Sequence, residues 1–250
     1  MYGGELIYQT KDKYGSIEVV DHQQAIRSLH FGNKTQQSAM LLANPYVLIH
    51  KYAQAMLLPT CFIKLKNVLI LGLGAGSLVK HLYNYFPDVN IVAVELREKV
   101  IELASEYFLL PDTDDRFSLF NQSASEWLLN HESTTKYDLI IVDMFLTSES
   151  AKDICIDPKD HIAIIHNLLS ENGIATFNHL GNNVYSYSSY HDISSAFSHN
   201  LFSIDIESTN TILLASRGLI RSECSREYLD NLEKEYVLPY TNYFNKLIRV

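Results

Sequence analysis

Beyond Lys66 the chain alternates between apolar runs of strand length and segments of helical period. Val68-Leu69-Ile70-Leu71 has no polar residue, which marks a strand covered on both faces. Gly76–Phe86 reads as a helix, Ile91–Val94 as the next strand, and Arg97–Phe108 as a helix with Val100, Ile101, Ala104 and Phe108 on one face. Phe117–Phe120 is a third strand. Ser123 and Glu126 have the spacing of a capping box, which opens a helix to Asn130. Asp138–Asp143 is a fourth strand. Asp157-Pro158 supplies a cap and a first-turn proline for a helix to Leu169. Asn172-Gly173 turns into a fifth strand, Ile174–Asn178, and Ser189–Phe197 is helical. Leu201–Ile206 and Thr211–Ala215 are then separated only by Glu207-Ser208-Thr209-Asn210, too short for a crossover, so this pair is antiparallel. Parallel strands with helical crossovers demand an α/β sheet covered on both faces.

Before residue 60 the pattern is shorter. Glu5–Gln9, Ser16–Val20 and Ala25–Phe31 read as strands, and Ser16–Val20 partly alternates as a half-buried strand should. Pro45 is placed to open a helix over Tyr46–Leu58, which Pro59 ends. Two units follow: 1–60, a small β domain with a linking helix, and 61–250, the α/β domain. The tail from Arg221 carries a helical stretch near Glu227–Tyr236, which either packs on the sheet or serves a subunit contact.

Charge narrows the function. Lys and Arg number 20 against 29 Asp and Glu, a net charge of −9. That opposes a chain whose task is gripping nucleic-acid phosphates or an anionic membrane. Cys61, Cys155 and Cys224 form no disulfide framework. The first residues lack a basic-then-apolar leader, and no apolar run reaches membrane-spanning length, so the expectation is a cytoplasmic protein. The histidines give no metal pattern: His161 and His166 are not at helix-face spacing, and His179, His191 and His199 match no ligand set. A nucleophile elbow and a phosphate-binding Gly-Lys-Ser/Thr loop are both absent, and Asp112-Thr113-Asp114-Asp115 reads as a solvated acidic turn.

Three features at predicted strand ends carry chemistry. Gly72-Leu73-Gly74-Ala75-Gly76-Ser77 sits between the first strand and its helix. Gly72, Gly74 and Gly76 let the main chain turn tightly and a ligand approach it. A GxGxxG loop would need glycine at Ser77, whereas GxGxG suits an adenosylmethionine site. Glu95, ending the second strand, is placed to accept hydrogen bonds from ribose hydroxyls. Asp143 closes the fourth strand at the edge where open α/β sheets bind ligands, placed to hold an amine and take its proton. Five alternating units and a terminal hairpin fit the seven-stranded, Rossmann-like sheet of adenosylmethionine-dependent methyltransferases, with a small N-terminal β domain added.

Together these residues resemble the spermidine synthase family of polyamine aminopropyltransferases. Val68 to Ser77 is similar to that family's glycine loop, Val94-Glu95-Leu96-Arg97-Glu98-Lys99-Val100-Ile101 to its ribose-binding strand and helix, and Tyr137 to Asp143 to the strand bearing its catalytic aspartate. Leu168 to Ile174, Gln36-Gln37-Ser38 and the segment after Pro45 also fit. The resemblance implies decarboxylated S-adenosylmethionine or S-adenosylmethionine as co-substrate without a metal, a small-molecule amine as acceptor, a homodimer, and Asp143 as catalytic residue. Gly72, Gly74, Gly76, Glu95, Gln122 and Ser123 would bind the nucleoside. Departures are specific. The loop aspartate that would hold the co-substrate's ammonium is Ala75, the second strand-end acid is Leu146 within Asp143-Met144-Phe145-Leu146-Thr147, and an acid near adenine is Ser123. Glu149 and Asp153 are candidate substitutes. Tyr185, Tyr187 and Tyr190 either line an acceptor pocket or form an amphipathic loop and helix start. The leading expectation is aminopropyl transfer to an amine; the alternatives are a methyltransferase and a non-catalytic nucleoside-binding homologue.

Overall fold

The computed structural model describes residues 3–131, 134–144, 159–181, 183–187, 189–198, 200–207, 209–218, 220 and 223–250. At the N-terminus β1 (Glu5–Asp12), β2 (Gly15–His22), β3 (Ile26–His30) and β4 (Gln36–Leu41) form an antiparallel sheet in sequential order. Three strands were expected there. The fourth begins with polar Gln36-Gln37-Ser38, which hides its strand character, and its Ser38, Ala39 and Met40 are buried by tertiary packing.

The second sheet has eight strands in the order β12-β10-β11-β9-β8-β5-β6-β7. These are β5 (Asn67–Leu71), β6 (Asn90–Glu95), β7 (Phe117–Asn121), β8 (Tyr137–Val142), β9 (Leu169–Leu180), β10 (Leu201–Ile206), β11 (Asn210–Ser216) and β12 (Ile248–Arg249). β5 to β9 are parallel, and β11 inserts antiparallel between β9 and β10. Seven strands match the expectation. The eighth, β12, spans two residues against β10, too short for any sequence period. The strand order reverses at β5, which lies between β6 and β8, and such a switch point opens a crevice at the carboxyl edge.

Helices α1 (Lys51–Met56), α2 (Ser77–Tyr85), α3 (Glu98–Phe108), α4 (Ala124–Asn130), α5 (Lys159–Leu168), α6 (Tyr190–Ala196), α7 (Arg226–Tyr236) and α8 (Tyr240–Phe244) cover the sheets. The pleat sorts β5 residues between two cores. Val68 and Ile70 join Met56, Leu82, Leu229 and Tyr240 on one face, while Leu69 and Leu71 join Trp127, Ile162, Ile165 and Ile193 on the other. A third core packs Ile17, Val19, Leu29 and Met40 of the small sheet onto Val100, Leu103 and Phe108 of α3.

Two element boundaries differ from expectation. The helix read over Tyr46–Leu58 is confined to α1, because His81 Nδ1 bonds the Tyr46 carbonyl at 2.9 Å and His50 is extended. The fifth strand starts at Leu169, which pairs with Tyr137 across a register shift. The tail packs on the sheet: Leu229, Leu232, Leu238, Tyr240 and Tyr243 enter the first core, and the Tyr240 and Thr60 hydroxyls bond at 2.5 Å. Among the described residues no helix is long and apolar enough to cross a membrane.

Candidate functional site

The crevice at β5 is built by three strand ends meeting β4 of the small sheet. Gly72 follows β5 with φ +99°, and a Cβ there would collide with the Asp143 carbonyl. Only glycine lets the loop start this close to β8, where the Asp143 N–H donates to Leu71 O at 2.9 Å. Gly74, φ +54°, lies against Ser38, whose Oγ would be 2.5 Å from an added Cβ. Ser38 Oγ also accepts from the Ala75 N–H at 3.0 Å, so the small sheet caps the loop directly. Gly76 abuts Leu110 as the residue before α2.

Glu95 completes the loop from the other side. Its Oε2 accepts from Leu73 N–H and its Oε1 from Arg97 N–H, both at 2.9 Å, and Gly74 N–H contributes a further bond. Burial pushes the carboxyl above its ordinary range, against the pull of those donors. A carboxylate has about four lone-pair sites, so these three donors leave room for about one more. Arg97 is itself 3% exposed and makes two 2.9 Å bonds to Asp12 of β1, which fixes the first hairpin beside this acid.

Asp143 faces the crevice on the other side of the loop. Asn178 Nδ2 donates to its Oδ1 at 2.8 Å, and the Tyr52 hydroxyl, whose one proton is shared with Gln37 O at 3.3 Å, interacts with the same carboxylate. Burial outweighs both bonds and pushes the carboxyl up to about 6. The crevice is lined by Ser38, His50, Tyr52, Leu73, Ser77 and Asp143, among others. Burial lowers the His50 ring and raises the Tyr52 hydroxyl well above its ordinary value, so both are uncharged near neutrality. A buried carboxylate that is half protonated near pH 6 can take a proton from a bound amine.

The remaining expectations divide. Ala75 is fully buried, its methyl within the core of Met40, Val100, Leu103 and Phe108, so this loop position faces the protein interior. Ser123 Oγ accepts from Glu126 N–H at 3.1 Å and is occupied as a helix cap; Gln122, half-buried, adjoins it at the end of β7. Asn121 Nδ2 donates to Glu95 O at 3.0 Å and thereby ties β7 to β6. Tyr190 belongs to the second core, Tyr185 is 63% exposed and packs edge-on against it, and Tyr187 stacks on His179. The expectations for Phe145, Leu146, Thr147, Glu149, Asp153 and Cys155 lie outside the described residues. No group of three His, Cys, Asp or Glu is poised for a metal among those described. Asp114 of the acidic turn caps Arg116 and Phe117 N–H groups and accepts from the Tyr83 hydroxyl.

Sequence reasoning missed Ser38, Tyr52 and Asn178 as site residues. Tyr52 lies within the segment whose pattern predicts only a helix over Tyr46–Leu58, and Asn178 stands in its own segment only as the end of a strand. The position of Asn178 at the same carboxyl edge as Asp143 was the available signal for it.

Comparison with known proteins finds relatives and solved structures similar to this chain. The "Polyamine aminopropyltransferase" of Chromobacterium violaceum is 36% identical over 124 residues, covering 48% of this chain and 46% of that protein. The chain thus matches less than half the length of that relative. A probable spermidine synthase from Corynebacterium glutamicum superposes with a TM-score of 0.74 at 20% identity, over 91% of this chain and 86% of that one. A spermidine synthase in complex with the transition state analogue AdoDATO gives 0.68 at 16% identity, over 93% and 84%. These likenesses carry the fold. The model of the spermine/spermidine synthase domain matches residues 50–233, taking in the glycine loop, Glu95, Asp143 and Asn178 together, and on that match the chain belongs to the spermine/spermidine synthase family.

Proposed function

We propose that this protein transfers an aminopropyl group from decarboxylated S-adenosylmethionine to a small amine. The observation that carries this reading is the buried Asp143 carboxyl, pushed up to about 6 and sharing one crevice with the Glu95-braced glycine loop. Family membership supplies the reaction class, and the Chromobacterium violaceum relative is named for it.

The sulfonium of the bound nucleoside supplies a leaving group that needs no protonation. The residues supply position. Glu95 takes a sugar hydroxyl on its remaining lone pair, and the glycines allow the main chain to lie against the nucleoside. Asp143 accepts a hydrogen bond from the attacking amine. The amine nitrogen's lone pair forms the new C–N bond as the C–S bond breaks, its electron pair passes to sulfur as a neutral thioether, and the proton released from nitrogen goes to Asp143. Much of the acceleration is in-line placement. Since Asp143 must be ionised to accept that proton, turnover should rise with pH through about 6.

The buried Ala75 favours one second reading. With no acid at that loop position, nothing there selects the decarboxylated tail, and S-adenosylmethionine with methyl transfer becomes the competitor. Thermal shifts with the two nucleosides and with methylthioadenosine separate the cases; a ligand at 100 times its Kd adds about 2.7 kcal/mol. Preference for the decarboxylated form with aminopropyl product supports aminopropyl transfer, preference for the carboxylated form with methylated product supports the competitor, and binding without product identifies a non-catalytic homologue. Glu95→Ala should abolish the shift. Asp143→Asn should bind and not turn over; full turnover in that variant would remove Asp143 from the mechanism.

A further inference from the structure

The carboxyl edge of the large sheet carries a line of side chains that the proposed chemistry does not call on. Asn178, on β9 and 6% exposed, donates its Nδ2 to Asp143 Oδ1 at 2.8 Å. Its own Oδ1 accepts from Asn210 Nδ2, also at 2.8 Å. Asn210 opens β11, the strand beyond β9, so the line Asp143–Asn178–Asn210 spans β8, β9 and β11.

The two ends of an asparagine amide are nearly equal in size and opposite in hydrogen-bonding sense. An ionised carboxylate only accepts, so it needs the NH2 end. A protonated carboxyl can instead donate to the oxygen end. Which end Asn178 presents to Asp143 depends on both of its partners, and on the side away from the acid that partner is Asn210, whose Nδ2 donates to Asn178 Oδ1. We propose that Asn210 is a positioning residue: by donating to Asn178 Oδ1 it holds the amide with its NH2 on Asp143, which keeps Asp143 an acceptor ready for the amine's proton. This rests on the reading of Asp143 as the base.

The surroundings leave this control to the amides. From α1, Tyr52 bonds Asp143 and His50 lines the same crevice, and burial keeps both uncharged. Gly72 contributes only backbone, and Glu95 lies across the glycine loop, engaged by the Leu73 and Arg97 N–H groups. Neither asparagine titrates.

The test is a carbon-13 titration of Asp143 in the full chain labelled at the aspartate carboxyl carbon, with its signal identified by its loss in Asp143→Asn. Asn178→Leu removes the donor and should move the midpoint up by about one pH unit. Asn210→Leu should move it in the same direction by about half as much, and Asn210→Gln, which keeps an amide donor, should return it towards wild type. The double variant Asn178→Leu/Asn210→Leu should match Asn178→Leu alone, because Asn210 acts only through Asn178. The amine-dependent pH profile should move in parallel. If leucine at 210 unfolds the chain, Asn210→Ala makes the same comparison with a smaller side chain that cannot donate. A wild-type midpoint in the folded Asn210 variant, or shifts that add in the double variant, would overturn the proposal. Turnover is measured on the same samples: an expected titration pattern without amine-dependent product refutes the transfer reading and leaves the relay standing, whereas turnover with an unmoved midpoint refutes the relay alone.

Discussion

Asp143 works against the fold that holds it. Its folded pKa, about 6, lies above the ordinary 3.8, so between those values the native state binds more protons than the unfolded one and stability falls as pH rises. Above pH 6 the whole penalty is present; below about 4 it is absent. Asp143→Asn removes the charge and keeps an acceptor for Asn178. It should therefore stabilise the protein at pH 7 by up to about 3 kcal/mol and leave it unchanged near pH 4, as denaturant melts at the two pH values would report. Equal gains at both would mean that the carboxylate is not strained by burial. Such a residue was visible in the sequence as an acid ending an apolar strand. Its partners were not, because Tyr52 and Asn178 come from segments whose local patterns speak only of a helix and a strand end.

At the scale of elements, the first hairpin is held to the large domain by a charge pair. Arg97 lies between β6 and α3, is 3% exposed, and holds Asp12 of β1 with two bonds while its guanidinium faces the Phe31 ring at 4.5 Å. Removing one member of a buried pair leaves the other uncompensated. Arg97→Ala should cost about 3 kcal/mol, Asp12→Ala less because Asp12 is more exposed, and the double variant clearly less than their sum; additive losses would show that the pair is not coupled. Element identity was largely legible, since alternating β5, β6, β8 and β9 with crossover helices leaves one topology class. Element limits were less so. The helix expected from Tyr46 is shortened by a bond from His81, a residue 35 positions away that no local rule weighs. β4 is a strand because β3 and the glycine loop give its polar start partners.

For the whole molecule, the junction of the two sheets is marked by Lys80. It is 1% exposed and donates to Phe108 O at 2.6 Å and Met40 Sδ at 3.1 Å, joining α2, α3 and β4. Burial lowers its ammonium to about 8 from 10.5. Between those values the unfolded chain binds the extra proton, so stability should rise with pH from 8 towards 10, by roughly 2–3 kcal/mol in all, before tyrosine ionisation intervenes. Lys80→Met should flatten that slope in melts across the interval; an unchanged slope would show that Lys80 is not its source. The sequence by itself determined the α/β class, the terminal antiparallel pair and the edge on which Gly72, Glu95 and Asp143 meet, because periodicity and chain reach are local properties that dictate which strand ends lie together. Only the tertiary structure decided that Ser38 caps the loop, that Ala75 faces a core, and that Tyr52 and Asn178 converge on the acid with Asn210 behind Asn178. Those outcomes depend on contacts between distant segments, whose cost in chain entropy and burial is settled only when the sheets close on one another.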